Sequence, residues 1–491
     1  MSKGSTDLLV LALDIGSSST RTALFDCRAR RLRGTDATKS YTIRYTPDGG
    51  AELSPLTLSR AVQRCVRVSL TSQPQHQSRV AALGTSSFWH GLLGLDRAWK
   101  PLTPIYTWAD LRGSDASRAL RKRLSERENH ARTGCMLHAS FWPAKLTWLR
   151  QTQPKMFRRV ARWVSPVDWI FHELFGTTVS SSSMASGTGL YNLHGGTWDE
   201  KLCAICHVHP SQLPVLRESA SPTRSVRGVA SPALIFTAIG DGAAGNLGSG
   251  AERCGTVAIN VGTSAAARMI RSSGEGANQK VPMGLFQYVV DDDRRVIGGA
   301  VSNAGNLRQW ALRELRLGKS AATHRLIFAR PAAANDTLVT LPFWAGERSP
   351  TWPDHQLGVI DGLTQATKAP DILRALNSAV FYRLAQILEL IGDGGGPPER
   401  IIVSGGILQS MAAVRLLADA IGHDVEIARE QETSLRGAAV HALQQLGRPA
   451  PNLPRGILIR HDGKLAAKHR KRRARQIELE MLLRVRDPDL L

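Results

Sequence analysis

The sequence predicts an α/β fold made of two similarly organised halves, and three observations lead to this prediction. The chain has 491 residues, enough for two or three domains of ordinary size. Short strands rich in Val, Ile and Leu alternate with amphipathic helical stretches, as in α/β proteins. Two segments about half a chain apart, LVLALDIGSSSTRTALFD (9–26) and TVAINVGTSAAARM (256–269), repeat one pattern of strand, Gly-Ser/Thr turn and second strand.

Periodicity and punctuation predict the individual elements. Apolar runs predict strands at 80–83 and 401–403, and apolar residues three and four apart predict helices at 56–70, 370–391, 410–421 and 463–486. A Gly- and Pro-rich stretch at 392–398 predicts a surface loop. A similar stretch at 225–255 predicts a hinge, which divides the chain into domains at 1–250 and 251–491.

Composition excludes several classes of protein. With 42% hydrophobic and 21% charged residues, the chain is not disordered, collagenous or a coiled coil. No apolar stretch approaches the roughly 18 residues of a membrane helix, and the N-terminus lacks a signal-peptide pattern. Six scattered cysteines fit a reducing compartment, so we expect a cytoplasmic protein. The net charge of +22 would attract anionic partners.

The two Gly-Ser/Thr turns are candidate phosphate-binding sites, because successive backbone N–H groups in such a turn point into one concavity. A plain hairpin is the alternative for either copy alone, and two copies together favour phosphate binding. Asp14, at the end of the first strand, is positioned to hold Mg²⁺ through water. The candidates in the two turns are Gly16, Ser17, Ser18, Thr20, Arg21, Gly262 and Thr263.

Two further glycine-rich segments contain candidate functional residues. Asp241 lies between glycines in IGDGAAGNLGSG (239–250), where a carboxylate can take the proton from a substrate hydroxyl. A solvated aspartate in a turn is the alternative. In VSGGILQSMAAV (403–414), a Gly-Gly turn between a strand and a helix lets a flat ring or a ribose lie against the backbone, although such a turn also serves tight packing.

In their order along the chain, these motifs resemble those of the FGGY carbohydrate kinases, relatives of actin and the large heat-shock ATPases. The resemblance runs from about residue 9 to 447 and adds AGERSPTW (345–352), GVIDGLT (358–364) and ETSLRGAAVHAL (432–443). It implies two actin-like (ribonuclease H-like) domains with the active site in the cleft between them. ATP and Mg²⁺ are the implied cofactors and a small-molecule sugar or sugar acid the implied partner, while a homodimer is left open.

A finer resemblance concerns the substrate. The segments 84–112, 132–149 and 181–193 are similar to FGGY-type gluconokinases, although Trp89-His90-Gly91 stands where xylulokinases have Met-His-Gly. It implies that the sugar lies between Trp89, His90 and Trp108 on one side and the catalytic base Asp241 on the other. Gly405, Gly406, Ile407 and Ser410 would border the adenosine.

The predicted activity is therefore ATP-dependent phosphorylation of gluconate to 6-phosphogluconate. Tryptophan faces suit the C–H surface of a sugar, and His90 suits its hydroxyls, although core packing is the alternative for each of these side chains. A kinase for a neutral ketose or polyol such as xylulose is one rival function. A catalytically silent sensor that binds sugar or ATP is the other.

Of three remaining signals, two fit structural roles better than functional ones and the third is left open. CAICH (203–207) matches the haem-attachment pattern, but haem attachment requires export, for which the sequence shows no signal. A zinc site needs a closed set of ligands, which no second pair of cysteines supplies. The basic run 468–475 has no accompanying nucleic-acid fold, so we expect a solvated helix face and no nucleic-acid partner. Glu347 and Arg348 are either an ion pair that locks the domains or ligand contacts.

Overall fold

The computed structural model describes residues 8–217, 234–273, 280–318, 337–353, 356–449 and 451–486. Residues 225–233 of the predicted hinge lie outside them. The strands are β1 (Leu9–Ile15), β2 (Ser19–Asp26), β3 (Ala37–Ser40), β4 (Arg44–Tyr45), β5 (Ala51–Leu53), β6 (Val80–Ser87), β7 (Leu93–Leu95), β8 (Ile105–Tyr106), β9 (Arg162–Val164), β10 (Val179–Ser181), β11 (Tyr191–Asn192), β12 (Thr197–Trp198), β13 (Val215–Arg217), β14 (Leu234–Ile235), β15 (Ile239–Gly240), β16 (Thr256–Val261), β17 (Ala265–Ser272), β18 (Phe286–Val289), β19 (Arg294–Val301), β20 (Val339–Leu341), β21 (Val359–Asp361), β22 (Arg400–Ser404), β23 (Val425–Ile427) and β24 (Leu458–Ile459).

The helices alternate with these strands. They are α1 (Pro55–Thr71), α2 (Ser114–Arg123), α3 (Glu126–Thr133), α4 (Trp142–Thr152), α5 (Pro154–Arg159), α6 (Pro166–Phe175), α7 (Ser182–Ser186), α8 (Glu200–Ile205), α9 (Asp241–Ser249), α10 (Gly305–Glu314), α11 (Ala369–Gly395), α12 (Met411–Ile421), α13 (Thr433–Gln445) and α14 (Gly463–Arg486). Short 3₁₀ helices occur at Pro74–Arg79, Pro210–Gln212 and Gly406–Gln409.

The first large sheet is built around the hairpin of β1 and β2. Strand β2 also pairs antiparallel with β3, whereas β1 pairs parallel with β6, which in turn pairs parallel with β14 and β15. All seven residues of β1 are buried, which is why its sequence LVLALDI shows no polar alternation. Helix α1, capped by Ser54, packs on β2 and β3.

The second large sheet repeats this arrangement around the hairpin of β16 and β17. Strand β17 pairs antiparallel with β19, and β16 pairs parallel with β22. The complete order is β18-β19-β17-β16-β22-β23-β24. In both sheets the hairpin has an antiparallel neighbour on one side and a parallel neighbour on the other. The repeated sequence pattern therefore corresponds to a repeated structure, and the predicted two-part α/β fold is confirmed.

Helix α13 comes late in the chain but packs on the first sheet and on α9. A Cβ atom on Gly248 of α9 would lie 1.7 Å from the carbonyl oxygen of Thr433, so only glycine permits this approach of the two helices. The apolar face of α13, which includes Leu435 and Ala438, belongs to the same buried core as β1 and β6. Packing therefore crosses the division at residue 250.

Most of the predicted elements are present, and one prediction is wrong. Strands β6 and β22 and helices α1 and α12 contain or closely match the predicted ranges. The predicted loop at 392–398 is wrong over 392–395, because α11 continues to Gly395, and is present over 396–398. The reason is close packing: a Cβ on Gly394 would lie 2.6 Å from Pro282, and one on Gly395 would lie 2.4 Å from Met269. This tertiary contact overrides the low helix propensity of glycine.

The predicted C-terminal helix is present as α14, and its contact with α11 is polar. Buried Glu480 pairs with buried Arg383 at 2.6 Å. The ring nitrogen Nδ1 of His469 lies 2.8 Å from the hydroxyl of Tyr382. The helix is thus held by specific partners although its composition is basic. Among the described residues, no helix has both the length and the apolarity needed to cross a bilayer.

Candidate active site

The first large sheet places two aspartates, Asp14 and Asp241, at the carboxyl ends of its parallel strands. In the first sheet, β1, β6 and β15 run parallel and end at Ile15, Ser87 and Gly240. Asp14 and Asp241 therefore lie at the same sheet edge, close enough for each carboxylate to affect the other. Ligands of open α/β sheets usually bind at this edge, so the two aspartates mark the candidate site.

Asp14 is buried beside the first turn. It accepts a short hydrogen bond from the Ser86 hydroxyl, and its Oδ2 lies 3.4 Å from Nη1 of Arg21. Burial raises the pKa of Asp14 to about 6, against the opposing effects of Ser86 and Arg21. Arg21 also lies 3.3 Å from Glu432. It is therefore held between two carboxylates, which leaves its charge partly compensated.

The first turn exposes backbone but not all of its predicted side chains. Gly16 N donates to Ser19 O at 2.9 Å, which closes the turn, and Ser17 and Ser18 reach solvent. Thr20 is fully buried, with its hydroxyl oxygen 3.2 Å from that of Tyr41. Only backbone and the two serines of this turn are thus available to an anion.

Asp241 is the first residue of α9. This position favours a carboxylate electrostatically, because the helix N-terminus carries unpaired backbone N–H groups. Burial nevertheless raises the pKa of Asp241, and the Arg268 guanidinium opposes the shift. A carboxyl group with a raised pKa is a better proton acceptor than a free aspartate, provided that it remains ionised.

Asp241 faces a cavity of about 140 Å³ in the cleft between the two sheets. Since a liquid water occupies about 30 Å³, this space suits one small molecule. The cavity is lined by residues of both halves, namely Phe88, Trp89, His90, Trp108, Asp241, Gly242, Asn260, Ser264, Ala266, Arg268, Phe286, Tyr288, Arg348, Trp352, Ser404 and Thr433, among others. The four residues predicted to surround the sugar are therefore brought together.

Trp89 is fixed against the backbone that precedes Asp241. Its Nε1 donates to Ser183 O at 2.9 Å, and its ring lies 4.8 Å from the ring of Tyr288. A Cβ on Gly240, the residue before Asp241, would lie 1.7 Å from the Trp89 ring. The glycine therefore lets the tryptophan lie directly against the backbone that presents Asp241.

His90 is held as a neutral hydrogen-bond acceptor. Its Nδ1 lies 2.5 Å from the carbonyl oxygen of Gly187, and since a carbonyl only accepts, Nδ1 carries the proton. Burial and the nearby Arg348 charge keep the pKa of His90 well below its usual range. The Nε2 atom is then an unprotonated acceptor, suited to a sugar hydroxyl.

Trp108 carries a cation on its face. The guanidinium of Arg348 lies 4.5 Å from the centre of the Trp108 ring, and Arg348 also donates to Val301 O at 3.2 Å and Ser302 Oγ at 3.3 Å. Glu347 instead accepts from backbone nitrogens, those of Ser302 at 2.7 Å and Arg348 at 2.8 Å. Of the two alternatives for these residues, this geometry favours a ligand contact for Arg348.

The second turn lies between this cavity and another. Ser264 lines the cavity of Asp241, whereas Gly262 and Thr263 line a neighbouring space of about 350 Å³. Gly262 N donates to Ser264 O at 2.9 Å, and the N-terminus of α10 docks on the turn through Gly305 N and Gly262 O, also 2.9 Å apart. A group held by this turn would touch both spaces.

The neighbouring cavity contains two of the four residues predicted for adenosine. Gly406 and Ile407 line it, together with the unpredicted residues Gln309, Leu312, Asn377, Phe381 and Ala413. Gly405 adopts a φ of +91° against the carbonyl of Val261, which only glycine tolerates. Ser410 caps α12 by accepting from Ala413 N at 3.3 Å. These two residues shape the segment without lining the cavity.

The residues around Asp14 fit a magnesium ion held through water. No cluster of three or more His, Cys, Asp or Glu side chains occurs in the described parts of the chain, so a cage made of protein alone is absent there. Mg²⁺ in phosphoryl-transfer sites typically has one or two carboxylates, several waters and the phosphates of the substrate as ligands. Asp14 is placed to supply one such carboxylate.

Comparison with protein families identifies the family and its fold. A profile of the FGGY family of carbohydrate kinases, N-terminal domain, matches residues 9–248, and the profile of the C-terminal domain matches residues 257–446. The chain belongs to the FGGY family of carbohydrate kinases. The expected resemblance is thereby confirmed, and a phosphoryl donor such as ATP is implied by the family.

Individual FGGY kinases extend the comparison over nearly the whole chain. A gluconokinase of Bacillus subtilis is 29% identical over 462 residues, covering 89% of this chain and 88% of its own. The crystal structure of a gluconate kinase from Lactobacillus acidophilus has a TM-score of 0.85 at 25% identity, covering 97% of this chain and 98% of its own. A ligand-bound xylulose kinase from the same organism has a TM-score of 0.86 at 25% identity, with the same coverage.

The CAICH segment is structural in this FGGY kinase. Cys203 and Cys206 are free, buried thiols, and Cys206 Sγ lies 3.7 Å from the carbonyl oxygen of Pro143. Burial raises the pKa of both thiols to about 12, so they remain protonated. They pack in a hydrophobic cluster with Trp142 and Trp198.

Replacing Cys203 and Cys206 together by alanine is therefore expected to leave sugar-kinase activity and metal content unchanged. The folded state should lose about 1 to 3 kcal/mol, because two buried apolar groups are removed from a packed cluster. Thermal unfolding and metal analysis of the purified protein check both statements. Stoichiometric zinc or covalent haem in the wild type would contradict the structural role.

Several residues that line the cavities were not predicted from the sequence. They include Arg268 and Tyr288 in the cavity of Asp241 and Phe381 in the neighbouring cavity. Arg268 gave one signal, since it lies two and four residues after the cavity-lining Ala266 and Ser264 on a predicted strand, and alternate residues of a strand share a face. Tyr288 and Phe381 lie on β18 and α11, far away in sequence. Only the fold brings them to the cleft.

Proposed function

We propose that this FGGY kinase transfers the γ-phosphoryl group of ATP to the terminal hydroxyl of gluconate, giving 6-phosphogluconate. The observation that carries the proposal is the position of the turn 262–264. It contacts the cavity that holds Asp241 and the neighbouring cavity lined by Gly406 and Ile407, so a phosphate chain held there spans both. The similarity to gluconokinases over most of the chain favours gluconate as the acceptor.

In the proposed reaction, the chain's own residues position the acceptor and move one proton. Asp241 accepts the proton of the terminal hydroxyl as that oxygen attacks the γ-phosphorus in line. The Trp89 and Trp108 rings cover the sugar's C–H surface, and His90 Nε2 accepts from one of its hydroxyls. The turns at 16–18 and 262–263 hold the phosphates through backbone N–H groups other than those of Gly16 and Gly262, which close the turns.

The remaining contributions come from the metal and from the arrangement of the two halves. Mg²⁺, when bound with ATP, neutralises charge on the phosphates, and Asp14 would hold it through water. We further propose that residues 1–250 mainly supply the sugar side and residues 251–491 the nucleotide side. Closure of the cleft would exclude water and so limit hydrolysis of ATP.

An acceptor screen tests this function. Purified protein with ATP and Mg²⁺ is assayed for ADP release with gluconate, xylulose, ribulose and glycerol, and thermal stabilisation by each compound is measured in parallel. We expect gluconate to be the best acceptor. A clear preference for a neutral sugar would favour the rival kinase function. Xylulose is included in the screen because the chain is comparably similar to a xylulose kinase. ATP binding without any phosphorylation would favour the sensor.

The proposed roles of the two aspartates predict how the kinase responds to pH. Both act as carboxylates, and burial raises the pKa of each, to about 6 for Asp14. Since protonation of either carboxylate removes the active form, kcat/KM should fall as the pH drops below about 6, by about tenfold per pH unit once one group is protonated and more steeply once both are. A profile from about pH 5 to pH 8 measures this. An activity that stays constant as the pH falls to the ordinary pKa of an exposed carboxylate would contradict the roles assigned to the two aspartates.

A further inference from the structure

The cavity of Asp241 contains two arginines with few partners of their own. Arg268 and Arg348 both line it. Among the described residues, neither guanidinium lies within 4 Å of a carboxylate, and the Nε atom of Arg268 is buried without a hydrogen-bond partner. Arg348 is buried and Arg268 is partly exposed. Charged groups withdrawn from water are normally paired, so two arginines without a carboxylate partner at one cavity require an explanation.

Arg268 reaches the cavity because of small neighbours. Ser264, just before β17, and Ala266 and Arg268 on that strand all line the cavity, and the alanine leaves the space along which the arginine extends. On the opposite side, a Cβ on Gly242 would lie 2.6 Å from Arg268 Nε. The absence of a side chain on Gly242 gives room for the Arg268 guanidinium beside Asp241.

Arg348 approaches the same space from a rigid support. Its bonds to Val301 O and Ser302 Oγ and its stacking on Trp108 fix the guanidinium plane. Burial and the like charge of Arg268 help to lower its pKa to about 10, so it remains charged at neutral pH. Asp241 is the only acidic side chain that lines the cavity in the described residues. The local charge is therefore positive.

We propose that Arg268 and Arg348 form the carboxylate-binding site for a sugar-acid substrate, with Arg268 as the residue that makes the enzyme specific for an acid. The proposal rests on gluconate being the acceptor. The carboxylate would fill the unsatisfied hydrogen-bonding capacity of Arg268 and relieve the repulsion between the two cations. His90, being neutral, would accept from a hydroxyl and would not compete for the anion.

The alternative is that Arg268 acts only through Asp241, by favouring its ionised form. The two roles predict different substrate dependence. An arginine that binds the carboxylate affects sugar acids alone, whereas an arginine that tunes the base affects every acceptor equally. A neutral polyol of the same carbon number, D-glucitol, distinguishes them because it has the chain and the hydroxyls of gluconate without its charge.

The test compares gluconate and D-glucitol as acceptors for wild type, Arg268→Met and the control Arg271→Met. The control lies on the same strand, but its side chain packs beside Gly394 and Gly395, away from the cavity. We expect Arg268→Met to lower kcat/KM for gluconate by about 100-fold, mainly through KM, and to change that for D-glucitol by less than about threefold. The control should leave the ratio of the two substrates unchanged.

Each other outcome has a definite meaning. Equal losses for both acceptors at a pH well above the acid limb of the profile would overturn the proposal and leave the kinase function intact. A shift of the acid limb by itself is expected, because Arg268 also lowers the pKa of Asp241. A wild type that prefers D-glucitol or xylulose to gluconate would overturn both. If Arg268→Met does not fold, Arg268→Lys decides. A rise of tenfold or more in KM for gluconate alone, as expected for loss of bidentate geometry, supports the proposal, and unchanged kinetics overturns it.

Discussion

Replacing Asp241 by asparagine is expected to lower phosphorylation of the best acceptor by about 10² to 10⁴-fold. Asparagine keeps the size of the side chain and most of its hydrogen bonding, but it cannot accept the proton of the attacking hydroxyl. Binding should change far less, because the sugar is held by the tryptophans and His90 and the nucleotide by the second turn. The loss should therefore appear in kcat, with KM values within a few-fold of wild type.

Asp168→Asn is a matched control for this experiment. Asp168 is a buried carboxylate whose pKa burial raises to about 6, but it belongs to the capping box of α6 and does not line the cavity. Its replacement should leave kcat within about threefold of wild type while lowering thermal stability. Near-full activity of Asp241→Asn would mean that Asp241 is only a helix-terminal residue and would refute the mechanism.

Replacing Asp14 by asparagine is expected to reduce activity by about 10- to 100-fold at limiting Mg²⁺, the range typical for groups that hold a metal indirectly. Asparagine can still accept the hydrogen bond from Ser86 through its amide oxygen. Because it is neutral, it attracts the hydrated cation less. Raising the Mg²⁺ concentration should recover part of the lost activity. It should not rescue Asp241→Asn, whose defect is in proton transfer.

The concentration of Mg²⁺ at half-maximal rate is the measurement that separates the two aspartates. It should increase for Asp14→Asn and stay unchanged for Asp241→Asn. An identical metal dependence in wild type and Asp14→Asn would contradict the role of Asp14. Because Arg21 bridges Asp14 and Glu432, a thermal melt of the variant is needed to show that this contact persists.

The fold was largely predictable because its main signals are local. The continuous apolar run of β1 and the Gly-Ser/Thr turn after it occur within 20 residues, and their repetition in β16 and β17 predicts the second half. Packing between distant segments left no such signal. The return of α13 to the first sheet and the helical ending of α11 at Gly395 both depend on contacts that form only in the folded chain.

The same distinction applies to the candidate site. Asp14, Asp241 and the turn glycines could be proposed from the sequence because each stands in a short motif. Thr20 belongs to such a motif, yet its hydroxyl is buried against Tyr41, since motif membership does not determine which way a side chain points. Arg268 stands in no glycine motif, and its role depends on Gly242 and Arg348, which come from other elements.

The most direct test of the account is a competition between two acceptors in one reaction. Equimolar gluconate and xylulose are incubated with the wild-type protein, Mg²⁺ and a limiting amount of ATP, and the sugar phosphates are quantified by ³¹P NMR. The product ratio equals the ratio of the two kcat/KM values at equal concentrations, independent of how much enzyme is active. If gluconate is the preferred acceptor, 6-phosphogluconate is the dominant product. A majority of xylulose 5-phosphate would contradict it.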